Sequence, residues 1–157
     1  MTSEIKTLSS QDTNDFVALI KIFSDVFEMK DLKIPAHKYL ENLLNKPDFL
    51  VLVAKHDNTV IGGLTVYVLH RYYSTRPIAY IYDVGVMPNY QRKGIGKKLI
   101  SYLTQYCEEN NFEDAYVEAE TDDTHAVNFY KTTQISSVLL ATHFTYSFDE
   151  TNSNSDK

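Results

Sequence analysis

The residues between Val84 and Lys97 are the first whose types and spacing could do chemistry. An apolar run closes at Val84 and Val86, and Pro88 and Gln91 follow. Arg92, Lys93, Gly94, Ile95, Gly96 and Lys97 then lead into a segment with helical periodicity. Glycines at a strand-to-helix junction let the backbone approach an anion and turn its N–H groups inward. The helix N-terminus adds partial positive charge there. Such a loop suits a polyphosphate. A tight turn with solvated lysines would use the same residues, and a glycine pair alone does not separate the two readings. The G-x4-G-K-[ST] spacing of a phosphate loop is absent, and so is the third glycine of a dinucleotide fingerprint.

A second group of residues could move protons. Tyr130 carries a phenol whose ordinary pKa of ~10 keeps it protonated at neutral pH, able to donate to a departing anion. Asp83 interrupts the apolar run Ile78–Val86, where a carboxylate is costly unless it is paired or faces water. It either lines a wet cleft or pairs with Arg71 or Arg76. Glu118 and Glu120 share a side by period-2 alternation, so one of them, Glu120 for preference, is a candidate base, directly or through water; an exposed sheet face would read the same. Asp122 and Asp123 precede a short helical run, and an N-cap accounts for only one of them. His125 and His143 lack the spacing of a metal pair or a nucleophile triad, so no metal site is assigned. Cys107 falls on an apolar helix face and reads as a core residue, not a nucleophile.

Charge is distributed to match. The 157 residues carry 15 Lys and Arg against 21 Asp and Glu, a net −6, which argues against a general nucleic-acid binder. Val84–Cys107 contains Arg92, Lys93, Lys97 and Lys98 and no acid, whereas Glu113–Lys157 holds nine acids against two lysines. One place for an anionic ligand and another for a cationic one would produce this split, as would merely solvated faces. The longest apolar run, Phe49–Ala54, has six residues, far short of the ~20 of a membrane span. The first residues lack a signal-peptide pattern. The lone Cys107 excludes an internal disulfide framework. A cytoplasmic protein that binds neither membrane nor nucleic acid is expected.

The elements that must position these residues follow from periodicity. A short strand is expected around Ile5–Leu8, then helices over Asp12–Met29 and from Pro35 to Lys46. Strands over Phe49–Lys55 and Val60–His70 flank a hairpin signature at His56-Asp57-Asn58-Thr59, and another strand covers Ile78–Val86. A helix from Gly94 to Glu109, a strand over Ala115–Thr121, a helix over His125–Thr132 and a final strand segment over Ile135–Phe148 complete the order. This is a mixed α/β (α+β) layered fold.

Gln91-x-x-Gly94-x-Gly96 after Val84-x-Val86-x-Pro88 resembles the acetyl-coenzyme A signature of the GCN5-related N-acetyltransferase (GNAT) superfamily. Ala126-Val127-Asn128-Phe129-Tyr130 resembles that superfamily's A-x-x-[FL]-Y segment. Tyr80-Ile81-Tyr82-Asp83, Tyr116–Glu120, Asp122-Asp123 and His143-Phe144 are similar to the aminoglycoside 3-N-acetyltransferase subgroup. The resemblance implies a mostly antiparallel sheet splayed at the acetyl-CoA site. Length suggests a single domain over residues 1–150, on this resemblance an N-acetyltransferase domain, and the polar composition of 151–157 reads as a disordered tail. The resemblance also implies that Val84 and Val86 hold the pantetheine arm, and that the amides of Gln91 to Lys97 take the pyrophosphate, with Asn128 at the coenzyme. Tyr130 would serve the departing thiolate, Glu120 or Asp83 the base, and Asp83, Glu120, Asp122 and Asp123 a cationic amine acceptor. A homodimer is compatible with it. Two departures stand out: Thr132-Thr133-Gln134-Ile135 replaces the usual K-x-G-F turn, and Thr145 replaces an acid.

The implied activity is direct acetyl transfer from acetyl-CoA to a primary amine in a ternary complex, with an aminoglycoside or another polycationic small molecule as acceptor. Polyamine and peptide amines are the nearer alternatives. A non-catalytic acyl-CoA sensor would keep the Gln91–Gly96 loop and lose the base, and turnover with a panel of amines separates it from an enzyme. An ATP-dependent enzyme would need a magnesium motif beside the loop, and none is present.

Overall fold

The structure, a computed structural model, describes residues 2–149; the tail expected at 151–157 lies outside the described residues. Strand β1 (Glu4–Thr7) is followed by helices α1 (Thr13–Val26) and α2 (His37–Leu44). Strands β2 (Phe49–His56), β3 (Thr59–Arg71) and β4 (Ser74–Val86) come next, then a 3-10 turn at Pro88–Tyr90. Helix α3 (Ile95–Glu109), strand β5 (Asp114–Val117) and helix α4 (Thr124–Lys131) complete the order. The five strands lie in sequence order, antiparallel throughout except for the parallel pair β4–β5.

Strand β2 explains the long apolar run. Leu52 and Ala54 face a cluster with Leu64, Val66, Ile81, Leu99 and Leu103 on the α3 side. Phe49, Val51 and Val53 face Phe16, Leu19, Phe23 and Leu40 on the α1–α2 side. A strand covered on both faces needs apolar residues at every position, and each fully buried Val or Leu contributes roughly 1.5–3 kcal/mol. The β2–β3 turn is made by Asp57 (φ 49) and Asn58 (φ 62), two residue types that tolerate the left-handed conformation such turns demand. Helix α1 sits close to the sheet because Gly85 has no side chain: a Cβ there would lie 2.9 Å from the Phe23 ring.

Two expected elements differ. Strand β5 ends at Val117, not Thr121, because its pairing with β4 stops at Ile81↔Val117 while β4 continues to Val86. Residues 135–148 form no strand, and Val138, Leu139, Leu140, Phe144, Tyr146 and Phe148 are exposed. An apolar alternation can signal a strand, but it becomes one only against a partner, and the described chain supplies none.

Candidate active site

The site grows from the divergence of β4 and β5. Beyond Ile81 and Val117 the strands no longer bond, which leaves the β5-side backbone edge of Asp83–Val86 without a neighbouring strand. On its other side this stretch keeps its partners, Val84 opposite Leu64 and Val86 opposite Gly62. A peptide-like ligand arm could bond to such an edge as a strand does.

A bulge fixes Asp83. Thr65 pairs with Asp83 and Val66 with Ile81, so Tyr82 is the extra residue. Simple alternation would put Asp83 on the face of Ile81, inside the α3-side core. The bulge sets it opposite Thr65 and away from that core. The Asp83 N–H donates to the Thr65 hydroxyl at 3.3 Å, and burial pushes the Asp83 carboxyl above its ordinary value. Neither expected arginine reaches it: Arg71 pairs with Glu113, and Arg76 donates to the carbonyls of Phe112 (2.8 Å) and Asn111 (3.4 Å).

The loop from Gln91 to Lys97 is shaped for an anion. The Gln91 side-chain amide donates to the Val86 carbonyl at 2.9 Å, clasping the loop to the end of β4. Gly94 is the N-cap of α3 at φ +82, a conformation open to glycine, and the space beside it is empty. The first intrahelical bond is Lys98 N–H to Gly94 C=O, so the amides of Ile95, Gly96 and Lys97 lie in the first turn without helical partners. Gly96 serves packing instead. A Cβ there would lie 2.8 Å from the Phe129 ring, so the residue lets α4 pack onto α3. Arg92 and Lys97 are exposed, and Lys93 lies over the Tyr90 ring at 5.6 Å. Lys98 is drawn off to the Ser3 carbonyl and hydroxyl, so the loop's expected four cations are in effect three. Free amides, a left-handed glycine and cations fit a pyrophosphate.

Helix α4 delivers Tyr130. Asp123 caps the helix by accepting from Ala126 N–H at 3.1 Å, while Asp122 is exposed. The expected glycine turn after α4 is replaced by threonines, whose hydroxyls donate to Phe129 C=O (2.6 Å) and Tyr130 C=O (2.5 Å). Thr132 keeps φ −83, so no left-handed residue is needed. The Tyr130 ring meets Phe129 edge-on at 5.0 Å and packs against the α3-side core with Val84 and Val86. Burial first, then the charges of Asp83 and Asp123, push its hydroxyl up to about 12.

The expected site residues are thus partly assembled. Asp83 and Asp123 each lie within electrostatic reach of Tyr130, which packs in the cluster that holds Val84 and Val86. Glu120 stands past the end of β5, exposed, as does Asn128 on α4. Glu118 faces Tyr80 and Tyr116 instead; burial and then Glu118 push the Tyr80 hydroxyl up to about 12. Cys107 is buried in the core, which raises its thiol to about 11 and removes it from nucleophilic chemistry. Sequence reasoning missed Thr65 and Tyr67, and it named Tyr80, Tyr82 and Tyr116 without joining them into one row beside Asp83. Only the strand register could have revealed them.

Comparison with known proteins bears on this geometry. Residues 16–133 match the model of the Acetyltransferase (GNAT) family. The fold superposes on an aminoglycoside acetyltransferase from an uncultured soil metagenomic sample, in complex with trehalose. The TM-score is 0.91, with 44% identity over 94% of this chain and 97% of that one. A structure of that acetyltransferase in complex with sisomicin gives a TM-score of 0.92 and 43% identity over the same shares. A further aminoglycoside acetyltransferase from an uncultured soil metagenomic sample shares the fold, with a TM-score of 0.84 at 24% identity over 94% of this chain and all of that one.

Proposed function

The chain belongs to the GNAT acetyltransferase family, and on that premise we propose that its acceptor is a primary amine of a polycationic small molecule, an aminoglycoside first. Its activity is acetyl-CoA-dependent N-acetyl transfer. One observation carries the choice of acceptor: at more than two-fifths identity over nearly the whole chain, the similar enzyme is an aminoglycoside acetyltransferase, seen in complex with sisomicin.

The coenzyme brings an acetyl group activated as a thioester. Its pyrophosphate meets the amides of Gly94 to Lys97, with Arg92, Lys93 and Lys97 adding charge. The pantetheine arm lies along the free edge at Val84–Val86, and Asn128 borders it from α4. A backbone N–H of that edge would steady the charge that develops on the thioester carbonyl oxygen. Direct transfer in a ternary complex needs no nucleophilic thiol, in keeping with the burial of Cys107.

Tyr130 acts at the sulfur. A phenol near 12 surrenders its proton to a thiolate of ordinary pKa ~8.5 only uphill. Its hydroxyl therefore works by donating a hydrogen bond to the departing sulfur. The amine's proton leaves through water or Glu120, while the Asp83 carboxylate, aided by the exposed Asp122 and Asp123, holds the cationic acceptor. A carboxylate-lined cleft speeds capture of a polycation, and salt weakens the effect. Neighbouring positive charges also lower the pKa of the reacting amine.

The test is kcat/KM for an aminoglycoside, spermidine and a monoamine at low and high salt, with Asp123→Asn and Glu120→Gln beside the wild type. The aminoglycoside should rank first and lose most of its advantage at high salt. A monoamine ranking first, with neither salt nor the substitutions changing the order, contradicts the proposal.

A further inference from the structure

Helix α4 carries Tyr130, yet little holds it in place. It has eight residues, where an isolated helix needs roughly 12–15 to be even marginally stable in water. Among the described residues, no backbone hydrogen bond ties α4 to another element; those that flank it are local, such as Asp123 N–H to Glu120 C=O and Thr133 N–H to Tyr130 C=O. Its side-chain bonds are local too, from Asp123 at one end and from Thr132 and Thr133 at the other. Its position therefore comes from packing. Phe129 and Tyr130 are the α4 residues that pack against the α3-side core.

The seat of Phe129 is tight. A Cβ on Gly96 would lie 2.8 Å from Cζ of the ring and 3.0 Å from Cε1. Carbon atoms prefer a separation of ~3.5–4.0 Å, so a single methyl group would drive the ring back by roughly 0.7 Å. Tyr130 stands against that ring, with centroids 5.0 Å apart at 66°, so a displaced Phe129 pushes on its neighbour. Helix α3 buries Ile95, Leu99, Ile100, Leu103 and Cys107, whereas no residue of α4 is buried to that degree. The helix that gives is α4. Gly96 thus faces two ways: its N–H is one of the first-turn amides without a helical partner, and its missing side chain is the space the Phe129 ring fills.

We propose that Phe129 is a positioning residue: its ring, seated at Gly96, sets the distance of α4 from the coenzyme loop and with it the aim of the Tyr130 hydroxyl, on the reading that Tyr130 serves the departing sulfur. Phe129 acts through its neighbour and makes no contact with the reacting atoms. One contact then fixes the spacing between the pyrophosphate amides and the phenol. A misplacement of about 1 Å can cost ~10²-fold in rate, so a methyl at Gly96 is large enough to register. Because the damage passes through Tyr130, it cannot exceed the loss from removing that hydroxyl. The contact does not depend on which amine the enzyme acetylates.

The test is kcat, as thiol release from acetyl-CoA with the fastest of the three amines above, beside calorimetric affinity for coenzyme A. The variants are Gly96→Ala, Phe129→Leu and the two combined, each with Tyr130 and with Tyr130→Phe. Gly96→Ala should lower kcat roughly tenfold or more. Its coenzyme A affinity should stay close to wild type, since alanine keeps the amide. The shorter Phe129→Leu side chain should recover most of that loss in the combined variant. On Tyr130→Phe, Gly96→Ala should make no further difference, whereas a merely structural contact would cost the same factor in both backgrounds. Phe129→Leu alone adds no clash and serves if Gly96→Ala folds poorly: its smaller loss of kcat should likewise disappear on Tyr130→Phe. A folded Gly96→Ala enzyme with wild-type kcat, a loss that persists in full on Tyr130→Phe, or one that appears as weaker coenzyme binding overturns the proposal. So does a combined variant no faster than Gly96→Ala. Normal turnover by Tyr130→Phe alone removes the role of Tyr130 itself, and the positioning of it falls with that role.

Discussion

Strands β2 and β3 pair from Phe49↔Tyr67 to His56↔Thr59, whereas β4 and β5 pair only from Ile78↔Asp114 to Ile81↔Val117. In the first region most side chains are buried between helices, and an irregularity at Ala54/Lys55 does not break the ladder. In the second, the strands part, a bulge turns Asp83 out of the core, and backbone groups are left for a ligand. The proposed chemistry sits where pairing stops. The antiparallel half supplies stability, and the parallel seam gives some of it up to hold a carboxylate, a phenol and unpaired amides in one place.

The sharpest way to break this comparison is to disturb each region separately. Leu64 is fully buried between β2 and β4, and Leu64→Ala should cost about 2–5 kcal/mol, read by urea denaturation. The fraction that remains folded should keep a normal kcat. Tyr130→Phe should do the reverse, lowering kcat by ~10²-fold and leaving the denaturation midpoint and coenzyme affinity close to wild type. Because burial holds the Tyr130 hydroxyl up to about 12, the advantage of wild type over that variant should persist through pH 10, measured as a ratio of kcat values. A phenol of ordinary pKa ~10 would already have lost about half of it there.

Asp83 gives a smaller, pH-dependent effect. Its pKa is raised in the folded chain, so the folded state holds the proton more tightly than the unfolded one. Asp83 therefore favours folding at acid pH, below the unfolded value. The contribution is lost as pH rises through the folded value, where an ionised carboxylate sits half-buried. Asp83→Asn should raise the melting temperature at neutral pH and change it less in acid; thermal melts at the two pH values decide the sign.

Much of this arrangement was legible in the residues. Gly94 and Gly96 marked the loop, and the helical run from Ile95 to Glu109 placed it at a helix N-terminus. Asp122-Asp123 announced a cap, and Cys107 read correctly as core. The rest depended on pairing. Asp83 looked like a residue in regular alternation, and only the register of β3 against β4 exposed the bulge at Tyr82. Glu118 and Glu120 alternate as a strand would, yet β4 has already turned away from them. Gly96 read as a phosphate contact, and its close neighbour is the Phe129 ring, which is distant in sequence. Residues 135–148 carry the pattern of a strand without a partner in the described chain.

Amide hydrogen exchange with and without coenzyme A tests the division between the two regions most directly. Bound coenzyme should slow exchange at the amides of Val84–Val86 and Gly94–Lys97 and leave β2 and the β1 side of the sheet unchanged. Saturable binding that protects the α1–α2 face, or that leaves both of those segments unprotected, would contradict a coenzyme site at the seam.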